Sequence, residues 1–139
     1  MKVLLDTNVI LDVLLHREPF YEDSRAVYDL VERHEISGCV SSSAMTDIFY
    51  LLYKAIKDTG EVYSLMDDVA RLFTIAPVLE STITEALALR WKDFEDAVQF
   101  AAARESGAAV IITRNMTGYE TSAIPCISPA AFTAFMRQA

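Results

Sequence analysis

Asp6 ends the apolar run Val3-Leu4-Leu5. Asp47 is the one charged residue in SGCVSSSAMTDIFYLLY, residues 37 to 53, and Asp96 follows Asp93 and Glu95 at the head of DAVQFAAA. Carboxylates from separate segments, brought to one place, would ligate a hard cation through oxygen alone, which suits Mg²⁺ or Mn²⁺. Such a site polarises a phosphoryl oxygen and generates a hydroxide for in-line attack. Zinc fits poorly, because the two histidines, His16 and His34, do not pair with Cys39 or Cys126 at ligand spacing. A glycine-rich phosphate loop is absent, and no serine occupies a nucleophile elbow. A phosphatase-like use of Asp6 as nucleophile expects a second aspartate two residues on, where this chain has Asn8.

Each carboxylate also has a plainer reading. Asp6, Thr7 and Asn8 are all helix-capping types. Asp93 and Asp96 suit the first turn of a helix, where they complement the macrodipole, although like charges three residues apart share a face and repel. Asp47 falls about one turn into its helix, among Ser43, Ala44, Tyr50 and Leu51. A carboxylate in so apolar a setting must be protonated, paired or metal-bound. Lys54 or Arg114 could pair with it, and the Ser43 or Tyr50 hydroxyl could hydrogen-bond it.

The elements that must position these groups alternate short apolar runs with longer helical ones. Strands are expected at Val3–Leu5, Gly38–Val40, Phe73–Ala76, Ala109–Thr113 and Ile124–Ile127. Helices are expected at Asn8–Leu15, Tyr21–Arg33 (broken from the first at Glu18-Pro19), Ser43–Ile56, Glu61–Phe73, Asp93–Ser106 and, from Pro129, to Arg137. Thr82 and Glu85 have capping-box spacing and predict a further helix to Trp91. The reading is α/β: a central parallel sheet of about four to five strands with helices on both faces, in one domain over residues 1–139. Ligands of such sheets sit beyond the carboxyl ends of the strands, which singles out Asp6-Thr7-Asn8, Ser41–Ser43 and Thr113-Arg114-Asn115.

Composition agrees with a globular chain: 139 residues, 53% hydrophobic, only four Gly and four Pro. No apolar run approaches the roughly 20 residues of a membrane span. The first strand begins at once and leaves no room for a signal peptide, so a cytoplasmic, reducing setting with two free thiols is expected. A net charge of −8, taken alone, argues against passive adhesion to phosphate, leaves room for an enzyme that holds cations in an acidic cleft, and suits a basic partner.

Three segments, in order, resemble the PIN domain family, and more closely the VapC-like toxin ribonucleases of bacterial toxin–antitoxin pairs. They are VLLDTNVILDVLLHREPF, SSSAMTDIFYLLY and DFEDAVQFAAARESGAAVIITRN. The resemblance spans essentially the whole chain. It implies a PIN-like fold and a metal-dependent endoribonuclease, with Asp6, Asp47 and Asp96 as catalytic acids holding Mg²⁺ or Mn²⁺ and Asp93 as a further member of the cluster. The family's usual fourth acid falls on Asn115, so one negative charge is missing there. A non-catalytic PIN-like module that binds RNA or protein is the alternative. Thr7, Asn8, Thr113 and Asn115 are expected to orient carboxylates or waters, and Arg17 and Arg114 to contact phosphate. The resemblance also implies an RNA substrate, a homodimer, and an antitoxin that brings Arg or Lys into the acidic cleft.

Overall fold

The computed structural model describes residues 1–119 and 121–138. Five strands, β1 (Lys2–Leu5), β2 (Ser37–Ser41), β3 (Thr74–Ala76), β4 (Val110–Ile112) and β5 (Cys126–Ile127), form one sheet in the order β3-β2-β1-β4-β5. Every pairing is parallel, with Val3 opposite Gly38 on one side and Val110 on the other. The helices are α1 (Thr7–Leu14), α2 (Tyr21–Glu32), α3 (Ser42–Ile56), α4 (Thr59–Leu72), α5 (Glu80–Leu89), α6 (Phe94–Ser106) and α7 (Pro129–Gln138). The expected α/β architecture is therefore the observed one.

Alternation along β1 divides the core. Val3 and Leu5 join the helical layer that includes Val9, Ile10, Val27, Ile48, Leu52, Val69 and Phe132. Leu4 faces the other way, against Phe100, Ala102 and Ala103 of α6. Small residues in α6 let it lie close to both sheet and α5: Ala97 and Ala101 are fully buried beside Ala86. That close approach carries the first turn of α6 to the carboxyl end of β1.

The chain leaves β1 toward β2 and β3, then crosses back to β4 on the other side of β1. The switch point thus lies between β1 and β4, where Asp6 and Thr113 emerge. Asp6 N–H continues the ladder to the Ile112 carbonyl at 2.9 Å.

One helix start differs from expectation. Thr82 does not open α5: the helix begins at Glu80, and the Thr82 hydroxyl accepts the Leu79 N–H at 2.9 Å from inside the first turn. Glu85 pairs instead with Arg104 at 2.6 Å. The helix ends at Leu89, and Trp91 packs tilted against Phe100 and edge-on against Tyr119. Cys39 and Cys126 are free thiols. Among the described residues no helix is long and apolar enough to cross a membrane.

Candidate metal and active site

Asp6 caps α1 and does more than cap. One carboxylate oxygen accepts from Thr7 N–H (2.7 Å) and Gln99 Nε2 (3.2 Å), the other from the Thr113 hydroxyl (2.8 Å) and the Tyr119 hydroxyl (3.2 Å). Four neutral donors from α1, α6, β4's end and the following loop fix a buried anion without cancelling its charge. Burial and the neighbouring Asp6 push the Tyr119 phenol well above its ordinary range, so it remains a donor.

Asp96 stands opposite, 7% exposed. Desolvation, then the charges of Asp6, Asp93 and Glu95, raise its pKa to about 7. One oxygen, Oδ2, is buried with no hydrogen-bond partner. Gly118 explains how it is enclosed: a Cβ at that position would lie 1.7 Å from Oδ2. Only glycine, in the turn Met116–Gly118, lets the backbone come so near. Asp93 caps α6, accepting the Asp96 N–H at 3.1 Å, and its charge helps to raise the Asp96 pKa. Asp93 is thus the cap of α6 and also lines the pocket with Asp6 and Asp96.

An open pocket joins Asp6, Thr7, Asn8, Arg17, Leu51, Asp93, Glu95, Asp96 and Asn115. Thr7 Oγ1 and Asn8 Oδ1 are, like Asp96 Oδ2, buried without a partner. Three buried oxygen atoms lacking donors are costly as they stand and are satisfied by a cation or ordered water.

Asp47 is the third of the expected acids. It is half-buried on α3, while Ile48 and Leu52 are fully buried and Leu51 lines the pocket. Its charge acts on Glu95, whose pKa is raised by desolvation first and then by Asp47, Asp6 and Asp93. None of the expected partners serves it. Arg114 pairs with Asp12, Lys54 sits over the Tyr50 ring, and the Ser43 hydroxyl bonds Ser41. Among the described residues, no three Asp, Glu, His or Cys side chains are gathered closely enough to hold one ion. The donors present fit a hydrated hard cation between Asp6 and Asp96, with Asp47 and Glu95 at the rim.

Arg114 also differs from expectation. Its Nε and Nη2 donate to the fully buried Asp12 at 2.7 and 3.1 Å, and the Ser24 hydroxyl donates to the same carboxylate at 2.9 Å. The guanidinium is committed to this pair, whereas Arg17 faces the pocket. Asn115 is exposed on the pocket wall, its N–H donating to Thr113 Oγ1 at 3.0 Å.

Sequence reasoning passed over Glu95, Gln99, Tyr119, Asp12 and Gly118. Gln99 left a signal, as the one polar residue in the apolar run AVQFAAA, three positions after Asp96. Tyr119 and Gly118 left none, because a loop brings them to the site.

Comparison with known proteins identifies the family and the fold. Ribonuclease VapC1 of Aquifex aeolicus (strain VF5) is 25% identical over 123 residues, covering 85% of this chain and 84% of that protein. A chain of VapBC2 from Rickettsia felis, solved bound to a DNA fragment from their promoter, superposes with a TM-score of 0.68 at 16% identity, covering 92% of this chain and 98% of that one. VapC20 of Mycobacterium tuberculosis, a sarcin-ricin loop cleaving toxin, superposes with a TM-score of 0.63 at 15% identity, over 78% of this chain and 86% of that one. The two solved structures share the fold. The PIN domain family model matches residues 2–117, so the chain belongs to the PIN domain family.

Proposed function

We propose that this chain is an endoribonuclease that depends on Mg²⁺ or Mn²⁺ and acts as the toxin of a toxin–antitoxin pair. The observation that carries the reading is Asp96: buried, raised to about 7, and holding an oxygen with no partner beside a second fixed carboxylate. A fold gains nothing by burying such a pair uncompensated, and a divalent ion compensates it. The ribonuclease name of the Aquifex relative, and the toxin–antitoxin complexes among structures of the same fold, support the reaction and partner class.

A bound Mg²⁺ or Mn²⁺ would supply Lewis-acid activation of a water and of the phosphate oxygen. Asp6 and Asp96 would hold it, with Asp6 locked in one orientation by its four donors. Asp96 gives up its proton when positive charge arrives, since its pKa is raised by burial and neighbouring anions. Thr7 Oγ1 and Asn8 Oδ1 hold waters in the pocket, Asn115 orients water or phosphate, and Arg17 contacts the substrate backbone. Asp93, Asp47 and Glu95 extend the acidic wall, which also suits an Arg or Lys of an antitoxin. On this reading the protein works in the cytoplasm as a homodimer, and the exposed Tyr50, Tyr53 and Tyr63 support the pairing of two copies.

The test is Mn²⁺ titration followed by electron paramagnetic resonance on the native chain and on Asp6→Asn, Asp96→Asn and Asp47→Asn, then cleavage of an RNA panel by the native chain. The expected result is binding that Asp6→Asn and Asp96→Asn abolish and Asp47→Asn weakens least. No binding and no cleavage would return the chain to the class of non-catalytic PIN-like modules, for which the neutral Asn115 is the supporting feature.

A further inference from the structure

Next to the acidic pocket lies a second, chemically opposite surface, formed by the loop between α1 and α2 together with Arg114. The loop runs through His16-Arg17-Glu18-Pro19-Phe20 and enters α2 at Tyr21. The Arg114 guanidinium lies 3.7 Å from the centroid of the Phe20 ring. Its position is imposed by Asp12, which holds it through two hydrogen bonds from a site fully closed to water. Phe20 is still 39% exposed although that cation covers part of its ring. A few residues earlier, His16 stacks on Tyr21 with centroids 3.7 Å apart and planes within 9°. The backbone is cross-braced: Arg17 N–H donates to the Asp12 carbonyl at 3.0 Å and Phe20 N–H to the Arg17 carbonyl at 3.1 Å.

This arrangement does not resemble an ordinary solvated loop. What sets Phe20 apart from the other exposed apolar residues is the guanidinium over its ring, and a guanidinium held by a buried aspartate is no longer a free phosphate ligand. Together they make a rigid, flat, π-rich face whose cation needs no counter-ion from the solvent. Arg17, between the two stacked pairs, lines the carboxylate pocket. Arg114 itself lies between Thr113, which bonds Asp6, and Asn115, which lines the same pocket. The platform is thus tied by chain connectivity to the groups that would act on a phosphate. Aromatic faces braced by arginine are how proteins hold unstacked bases of single-stranded RNA.

Resting on the ribonuclease reading, we infer that Phe20, braced by Arg114 and Asp12, is a stacking platform for an unpaired nucleobase of the RNA next to the scissile phosphate. Arg17 bridges from that base toward the pocket. Cleavage is thereby confined to RNA whose base at that position is free to unstack.

The experiment measures affinity for a short unstructured RNA that the native chain cuts, in an Asp6→Asn background that leaves it uncut. Phe20→Ala and Phe20→Leu are expected to weaken binding about tenfold, and Phe20→Trp to restore it. The RNA is also made with a single abasic position moved along its length. One abasic position should cost the Phe20-containing protein about tenfold and cost the Phe20→Leu protein nothing more, because the base and the ring act as one contact. Equal affinity of the Phe20→Leu protein, or an abasic penalty that persists in it, overturns the inference. A platform that serves a protein partner gives that same equal affinity, and so also overturns it. If the native chain cuts no RNA, the ribonuclease reading fails and the inference falls with it. If it cuts RNA while Phe20→Leu binds normally, only the inference fails.

Discussion

Asp12 and Asp96 are both buried aspartates on helices that frame the same sheet edge, yet the fold treats them in opposite ways. Asp12 is sealed from water and receives a bidentate guanidinium and a serine hydroxyl. Asp96 is almost as deeply buried and receives other carboxylates instead, with one oxygen left bare. Asp12 is a strut, joining α1 to the loop after β4. Asp96 carries a compensation deficit that a ligand must make good. The difference teaches that burial alone does not mark a functional carboxylate; the sign of what surrounds it does.

The sharpest way to break the comparison is at Asp96. Asp96→Asn is expected to lower RNA cleavage about a thousandfold, the loss of several kcal/mol of charge stabilisation, while leaving the protein folded. Residual activity within tenfold of native would make Asp96 a strut as well. At Asp12 the expected outcome is reversed. Asp12→Ala should destabilise the fold by roughly 3 kcal/mol in urea unfolding, toward the low end for a broken buried pair because Arg114 is partly open to water. Its effect on Mn²⁺ affinity should be small.

Acidity separates the two sites further. Because the folded Asp96 pKa of about 7 lies above its ordinary value, the folded chain binds more protons than the unfolded one between those limits. Metal-free stability should therefore be highest at low pH on this account and fall as pH rises toward 7, then level off. Denaturation midpoints of native and Asp96→Asn protein, compared from pH 5 to 8, should show the native slope flattened in the variant. A divalent ion should bind more tightly above pH 7 than below it, since it competes with that proton.

Two smaller changes test how the bare oxygen and its neighbour are held. Gly118→Ala puts a methyl group where Asp96 Oδ2 now lies, and should cost about ten- to a hundredfold in Mn²⁺ affinity. Tyr119→Phe removes one of four donors to Asp6, and should cost about 1 kcal/mol in stability, with a modest fall in turnover.

Much of the molecule was legible from residue order. Apolar runs of three to five residues set between helical periodicities dictate a parallel α/β sheet, because strands buried on both faces are continuously apolar and need helices over them. The strand-end rule then located Asp6 and Thr113, and first-turn spacing placed Asp93 and Asp96 together. Thr82 was misread because its hydroxyl can serve either end of a capping box: as N-cap it would accept the Glu85 N–H, but from the first turn it accepts the Leu79 N–H. Helical spacing placed Asp47 on α3 but did not say which neighbour its charge acts on, which is Glu95.

Only tertiary structure decided the partners. Arg114 is 102 residues from Asp12, and Tyr119 is 113 residues from Asp6. Nothing in local propensity links such residues; the crossover from β3 to β4, on the far side of β1, brings them together. Sequence by itself fixed which groups carry charge and which segments become strands and helices, because those depend on composition and periodicity along the chain. Which carboxylate is neutralised and which is left bare depends on distances between segments remote in sequence, and those exist only once the sheet has closed around its switch point.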